Sequence, residues 1–306
     1  MMPHTLENLE IHASHACNLA CESCSHFSNH AHSGVLSLEE ASEWMEPWSV
    51  RLRPKQFSIL GGEPTLNPDL VELVLLCRRY WPDALLRVVT NGFFLHRHPD
   101  LPKVISRDGN AVIQLSVHHD SATYLDAIAP HVQLFEDWIR QYGLSFRVSL
   151  SHEGWTRRYR GFGHAMEPFE DGNIRASWEH CPSRLCRQVF EGKLWKCSPI
   201  AYLRLQDGKY ELSERWRPYL AYQPLRSDCS DAELSAFIGK QEEPICAMCP
   251  AEPQRIRPGS PLRRFAAAPT DGGGESGSPA VATADAESHW ALQALRRLAH
   301  ASRRTT

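Results

Sequence analysis

No run of about 18 apolar residues occurs anywhere in the 306-residue chain, so no transmembrane helix is expected. The first seventeen residues hold no apolar stretch of the kind that opens a secretory leader, and the expected location is the cytoplasm. There is no excess of either charge: 33 Lys and Arg against 36 Asp and Glu give −3, too little to call for nucleic acid or an anionic membrane surface. No internal repeat is visible. Hydrophobic residues at 42% and aromatics at 9% are ordinary for a folded globular protein.

Cysteine is plentiful, with ten in the chain, and cytosolic proteins rarely use cysteines as disulfides. Their spacing must decide their use. Cys17, Cys21 and Cys24 lie together as C-x3-C-x2-C. Cys181, Cys186, Cys197, Cys246 and Cys249 form a late set, while Cys77 and Cys229 stand alone. Closely spaced thiols in a loop suit an iron–sulfur cluster. Three ligands on a cubane leave one iron open to a small molecule. The competing reading of the first group is a zinc knuckle completed by His15 or His26.

The rest of the chain reads as alternating strands and helices, the pattern of parallel βα units. Strands are predicted over residues 7–13, 56–60, 85–90, 111–117 and 144–150. Helices are predicted over 37–48, opened by the capping box Ser37-Leu38-Glu39-Glu40, and over 69–81 and 121–142. The cysteine loop, Gly61-Gly62-Glu63-Pro64, Thr90-Asn91-Gly92 and Ser116-Val117-His118-His119 all fall at carboxyl ends of these strands. That is where barrels of this kind place their chemistry. Alone, GGEP would be a tight glycine turn before a proline-started helix.

A C-x3-C-x2-C loop after the first strand with GGEP after the second resembles the radical S-adenosylmethionine (SAM) enzymes, over about residues 7–150. The resemblance implies a partial (β/α)6 TIM-like barrel. It implies that Cys17, Cys21 and Cys24 hold a [4Fe–4S] cluster whose open iron chelates SAM, and that Gly61, Gly62 and Glu63 receive the methionine ammonium. Ser116, His118, Arg147 and Ser149 are the implied ribose or carboxylate contacts. The residue before the third cysteine is usually aromatic in this family and packs on adenine. Here it is Ser23, with Phe27 expected in its place.

The late cysteines read Cys181-x4-Cys186-x10-Cys197, then Cys246-x2-Cys249. Between Cys186 and Cys197 the chain alternates around Glu191-Gly192-Lys193, a hairpin signal. This resembles the twitch part of SPASM-type extensions, which hold an auxiliary [4Fe–4S] cluster; a zinc ribbon is the alternative. The implied ligands are Cys181, Cys186, Cys197 and Cys246, leaving Cys249 as a hydrogen-atom donor. A competing assignment pairs Cys246 with Cys249 and frees Cys186. The expected domains are 1–175 (barrel), 176–262 (auxiliary cluster) and 263–306, a flexible linker with a helix over 287–304.

Within the family, the layout resembles epimerases of aminoglycoside biosynthesis, of the kind that turn neomycin C into neomycin B. The activity so implied is inversion of a sugar carbon, with Cys249 returning the hydrogen atom. The rivals are a twitch dehydrogenase oxidising an aminocyclitol alcohol and a peptide-modifying enzyme. The latter usually carries a peptide-binding domain before the barrel. The expected partners are a polycationic amino sugar and an external one-electron donor of flavodoxin or ferredoxin type. Asp120, Glu153, Glu167, Glu170, Asp171 and Glu179 are candidate carboxylates for the polycation.

Overall fold

The computed structural model describes residues 3–257, 259–262 and 284–303. Most of the linker, expected at 266–285, lies outside these residues. In chain order the elements are β1 (His4–Ser14), α1 (Leu38–Ser49), β2 (Leu52–Gly61), α2 (Leu70–Tyr80), β3 (Leu85–Thr90), α3 (Leu101–Asp108), β4 (Ala111–Val117), α4 (Ala122–Tyr142) and β5 (Phe146–Leu150). There follow α5 (Ile174–Glu179), β6 (Cys186–Phe190), β7 (Lys193–Trp195), α6 (Ser198–Tyr210), α7 (Arg217–Leu220), α8 (Asp231–Gly239) and α9 (Ala284–Ser302). No described helix is long and apolar enough to cross a membrane.

One seven-stranded sheet runs in the order β5-β4-β3-β2-β1-β6-β7. All neighbours are parallel except β6 and β7. This is the expected α/β partial barrel. The hairpin does not stand in a sheet of its own: β6 pairs in parallel with β1, Asn8 opposite Cys186. Its two-residue turn, Glu191 (φ 52°) and Gly192 (φ 67°), has positive φ at both positions, the twist that closes tight hairpins. Trp48 Nε1 donates to Gly192 O at 3.0 Å and ties that turn to α1.

Local signals explain several elements. Ser37 and Glu40 form the expected capping box at α1, and Ser230 and Glu233 form another at α8. The two faces of β1 differ in kind. Leu9, Ile11 and Ala13 are buried in the main apolar core, while Asn8, Glu10 and His12 are buried on the other face. Asn8 Oδ1 accepts from Gln56 Nε2 (3.1 Å) and from Ser58 Oγ (2.8 Å) on β2. Arg87 on β3 donates to Ser58 Oγ (3.0 Å) and to Gln114 Oε1 on β4 (3.1 Å). The barrel interior is thus filled by a hydrogen-bonded polar network, which satisfies groups that burial would otherwise penalise. At the open edge, α9 packs on α4 and β5, with Ala291, Ala294, Leu295 and Ala299 buried. Ser302 Oγ accepts the Val148 N–H of edge strand β5 at 3.3 Å.

Candidate active site

The carboxyl ends of β1 and β2 lie side by side, with Ser14 opposite Gly61. Gly62 N donates to Ser14 O and Glu63 N to Ala16 O, both at 2.8 Å. A Cβ on Gly61 would lie 2.2 Å from Ser14 O, and one on Gly62 2.2 Å from Ala16 O. The two glycines therefore let the GGEP turn press against the root of the cysteine loop, one residue from Cys17.

This contact closes one side of a cavity of about 200 Å³. Cys17, Cys21 and Cys24 line it, together with Gly61, Gly62 and Glu63, and Ser116 and His118 from the end of β4. The Glu63 carboxylate is buried. Its Oε1 accepts from the Thr65 and Thr90 hydroxyls and from Thr65 N, and its Oε2 from Asn91 N at 2.7 Å. Burial raises its pKa against the opposing pull of these bonds. Oε2 keeps acceptor capacity for a further donor. Burial pushes the Cys24 thiol up, but the His26 hydrogen bond and charge outweigh it, so it lies below its ordinary value. Burial, then the charge of His152, lowers His118 to about 4, which keeps its imidazole neutral.

Three of the expected residues lie elsewhere than at the cavity wall. Phe27 does not face the cavity; it is 1% exposed and packs on Tyr159 with ring centres 5.3 Å apart. Its αL backbone (φ 57°) turns it into the C-terminal core. Arg147 donates to Gln56 Oε1 (3.2 Å) in the polar interior; as the second residue of β5 it lies away from the strand's carboxyl end. Ser149 sits beside Ser151 Oγ at 3.3 Å and does not line the cavity.

The aromatic ring at the cavity is Trp155, which the sequence did not signal. Ser23, in the left-handed region (φ 55°), accepts from Arg158 N (2.7 Å) and Tyr159 N (3.2 Å). Those bonds hold the loop after β5 against the cysteine loop. Trp155 Nε1 donates to Glu22 O at 2.6 Å, which fixes the indole at the cavity wall.

Cys181, Cys197, Cys246 and Cys249 line a second cavity, with Lys196 and Met248 also in its wall. Cys186, expected as a ligand, is not among them. Pairing with β1 places it inside the barrel, where Asn8 Nδ2 donates to its sulfur at 3.4 Å. Cys249 takes the fourth place because residues 247–251 lie along the loop after β5. Phe169 N donates to Met248 O (3.1 Å), Glu170 N to Ala247 O (2.9 Å), and Ala251 N to Asp171 Oδ2 (3.0 Å). Burial pushes Cys249 up to about 12, with Cys181 and Cys246 adding to the rise and Arg158 opposing it. Burial, then the same crowding of thiols, raises Cys197 well above its ordinary value.

Among the described residues, no three His, Cys, Asp or Glu side chains converge tightly enough to hold a single metal ion. Both cavities, of about 200 Å³ and about 30 Å³, are instead lined by several thiols, the donor chemistry that suits a multi-iron cluster. Of the acidic candidates, Glu167 and Glu170 pair with Arg215 (2.9 and 2.6 Å), and Glu179 pairs with Arg175 (2.7 Å). Asp171 holds Ala251 N. Asp120 and Glu153 line a cleft of about 320 Å³ with His119 and His152, beside His118. Arg257 lies 3.6 Å from Asp120. Cys77 is core, and Arg51 Nη1 donates to Cys229 at 3.2 Å.

Residues 11–154 match the Radical SAM superfamily. The chain is similar to the probable GTP 3′,8-cyclase of Saccharolobus solfataricus, 31% identical over 113 residues, which is 37% of this chain and 35% of that protein. It is also similar to the GTP 3′,8-cyclase of Nautilia profundicola, 27% identical over 96 residues and 30% of each chain. The chain thus spans about a third of the length of these curated relatives. Among solved structures, BtrN in complex with AdoMet and 2-DOIA is similar at 19% identity and a TM-score of 0.41, covering 65% of this chain and 75% of that one. The superfamily match covers a little under half of the chain; members of the Radical SAM superfamily are enzymes that use SAM and a [4Fe–4S] cluster.

Proposed function

We propose that the chain is a radical SAM enzyme that acts on one C–H bond of a polycationic amino sugar, as an epimerase of the kind that turns neomycin C into neomycin B. The observation that carries the reading is the pair of thiol-lined cavities, with Cys249 in the second and on the segment that lies along the loop bordering the first. Arg158 links them: its charge acts on Cys249, and its backbone N–H is held by Ser23, next to Cys24.

Cys17, Cys21 and Cys24 would hold the first cluster. Glu63 Oε2 is the acceptor for the methionine ammonium of SAM, and Trp155 offers a flat wall to adenine. Bound there, the cluster and SAM supply a carbon-centred radical that takes one hydrogen atom from the substrate. Asp120 and Glu153 face the ammonium groups of the sugar from the adjoining cleft. Cys249 breaks its S–H bond and gives the hydrogen atom to the opposite face of the same carbon. Its sulfur then takes back one electron, from an external flavodoxin- or ferredoxin-type carrier, and one proton from water. Cys181, Cys197 and Cys246 would hold the auxiliary cluster.

A second reading has its own support. Cys249 shares its cavity with three other thiols, and four thiols make a complete ligand set for a cubane. In that case no thiol there is spare, and the reaction is oxidation of an aminocyclitol alcohol; a cluster held by the four thiols would serve as acceptor for the substrate's second electron.

One assay separates them. The iron-loaded protein is given SAM, a reductant and neomycin C in D2O, and the product is weighed. One carbon-bound deuterium with an otherwise unchanged formula supports epimerisation through an exchangeable thiol. Cys249→Ala should then still release 5′-deoxyadenosine but form no epimer. A product two hydrogens lighter and free of deuterium supports the dehydrogenase. An untouched sugar beside released 5′-deoxyadenosine refutes the substrate class.

A further inference from the structure

We infer that Asn91 and His118, at the ends of β3 and β4, are hydrogen-bond donors to the Cys17 and Cys21 sulfurs and so set the reduction potential of the first cluster. The inference rests on the reading of Cys17, Cys21 and Cys24 as cluster ligands. Asn91 and His118 act through the cysteines as positioning residues and need not touch SAM or substrate.

His118 Nδ1 lies 3.5 Å from Cys21 Sγ. An iron-bound thiolate carries no proton and can only accept, so in the loaded protein the imidazole must place its N–H on Nδ1. The residue is held on two sides. Its backbone N–H donates to Tyr124 Oη (3.1 Å), and Trp155 meets its ring edge-on with centres 5.7 Å apart. Asn91 Nδ2 lies 3.8 Å from Cys17 Sγ and donates to Asn18 Oδ1 at 2.7 Å. Its amide orientation is set, because Oδ1 is already taken by Phe93 N at 3.2 Å. The amide nitrogen therefore faces the sulfur.

The two donors come from different strands and converge on different thiols of one loop. They also account for two strand-end motifs, Thr90-Asn91-Gly92 and Ser116-Val117-His118-His119, that the proposed chemistry leaves largely unused. Reduction adds negative charge that spreads onto the sulfurs. A donor to sulfur therefore stabilises the reduced state more than the oxidised one and raises the potential. The shorter contact, from His118, should matter more.

The test is a redox titration of the full-length, iron-loaded protein, following the EPR signal that changes when SAM is added. Wild type is compared with His118→Phe, His118→Gln and Asn91→Leu, with iron and sulfide counted in each. For His118→Phe the reduced-to-oxidised ratio at a fixed potential should fall about tenfold, which is about 59 mV for a one-electron couple. His118→Gln restores an N–H donor and should recover most of that shift. Asn91→Leu should shift the same way by less. An unshifted midpoint in an iron-replete His118→Phe protein overturns the inference. If His118→Phe fails to hold iron, Asn91→Leu decides through Cys17, and an unshifted midpoint there overturns it. A wild-type protein with no SAM-responsive cluster overturns the underlying reading as well, so the two failures are told apart by the wild-type spectrum.

Discussion

Lys196 offers a sharp test of how the second thiol cavity is built. It precedes Cys197, and its side chain is 4% exposed. Its Nζ pairs with the Glu243 carboxylate at 2.9 Å, itself only 9% exposed, and donates to Lys240 O (3.1 Å) and Gln241 O (2.5 Å). Glu243 O accepts from Cys246 N at 2.8 Å. One ammonium thus ties the strand that leads into Cys197 to the segment that leads into Cys246. Lys196→Met keeps the apolar stem and removes the charge. It leaves a buried carboxylate whose other cation, Lys240, stands 3.8 Å away on an exposed side chain. Removing one partner of a buried pair costs about 3–5 kcal/mol, a large part of the roughly 5–15 kcal/mol that holds a domain folded. Lys196→Met/Glu243→Gln should recover more than half of that loss, because the uncompensated charge is gone. Urea unfolding of the metal-free protein, with the slope checked for constancy, measures both. A loss under about 1 kcal/mol in the single variant, or a double variant as unstable as the single, would refute the clamp.

Gly62→Ala should abolish iron binding at the first site and destabilise the fold by about 3 kcal/mol or more, since its Cβ would meet Ala16 O at 2.2 Å; retention of normal iron content and Tm counts against the close-approach account. Cys197→Ser should remove the iron of the second site and Cys186→Ser should leave it in place; the reverse outcome in iron analysis would return Cys186 to the ligand set. Trp155→Ala should weaken SAM binding about tenfold in equilibrium dialysis while Trp155→Phe keeps most of it, and equal affinity in all three proteins removes the indole from the adenine wall. Burial, then Lys209, lowers His32 to about 4. The unfolded chain therefore binds a proton that the folded one refuses: this contribution is complete above about pH 6.5 and is lost as pH falls towards 4. Because His32 is only half-buried the loss is about 1–2 kcal/mol, and His32→Leu should flatten that part of the stability profile; an unchanged slope excludes the histidine as its source.

What could be read in advance was whatever one short stretch of chain decides. Ser37 and Glu40 close their capping box within a single turn, and Glu191-Gly192 makes its hairpin from two positive φ values. Cys17, Cys21 and Cys24 share one loop, so their spacing alone brings them to one cavity. α6 escaped notice for the opposite reason. Ser198, Ile200, Ala201, Leu203 and Gln206 are buried around much of its circumference, so no polar stripe marks its period. The second thiol set depends on pairings between distant segments. β6 could have faced its cysteine either way, and only its parallel register with β1 turns Cys186 into the barrel interior. Cys249 joins Cys181 and Cys197 through hydrogen bonds between residues 169–171 and 247–251, some eighty positions apart. Trp155 reaches the cavity for the same kind of reason: Ser23, 135 residues from Arg158, holds the loop that carries it. Motif spacing therefore locates a site when one loop supplies its ligands. When several segments supply them, register decides which thiols share a cavity, and Cys186 lies outside the second one while Cys249 lines it.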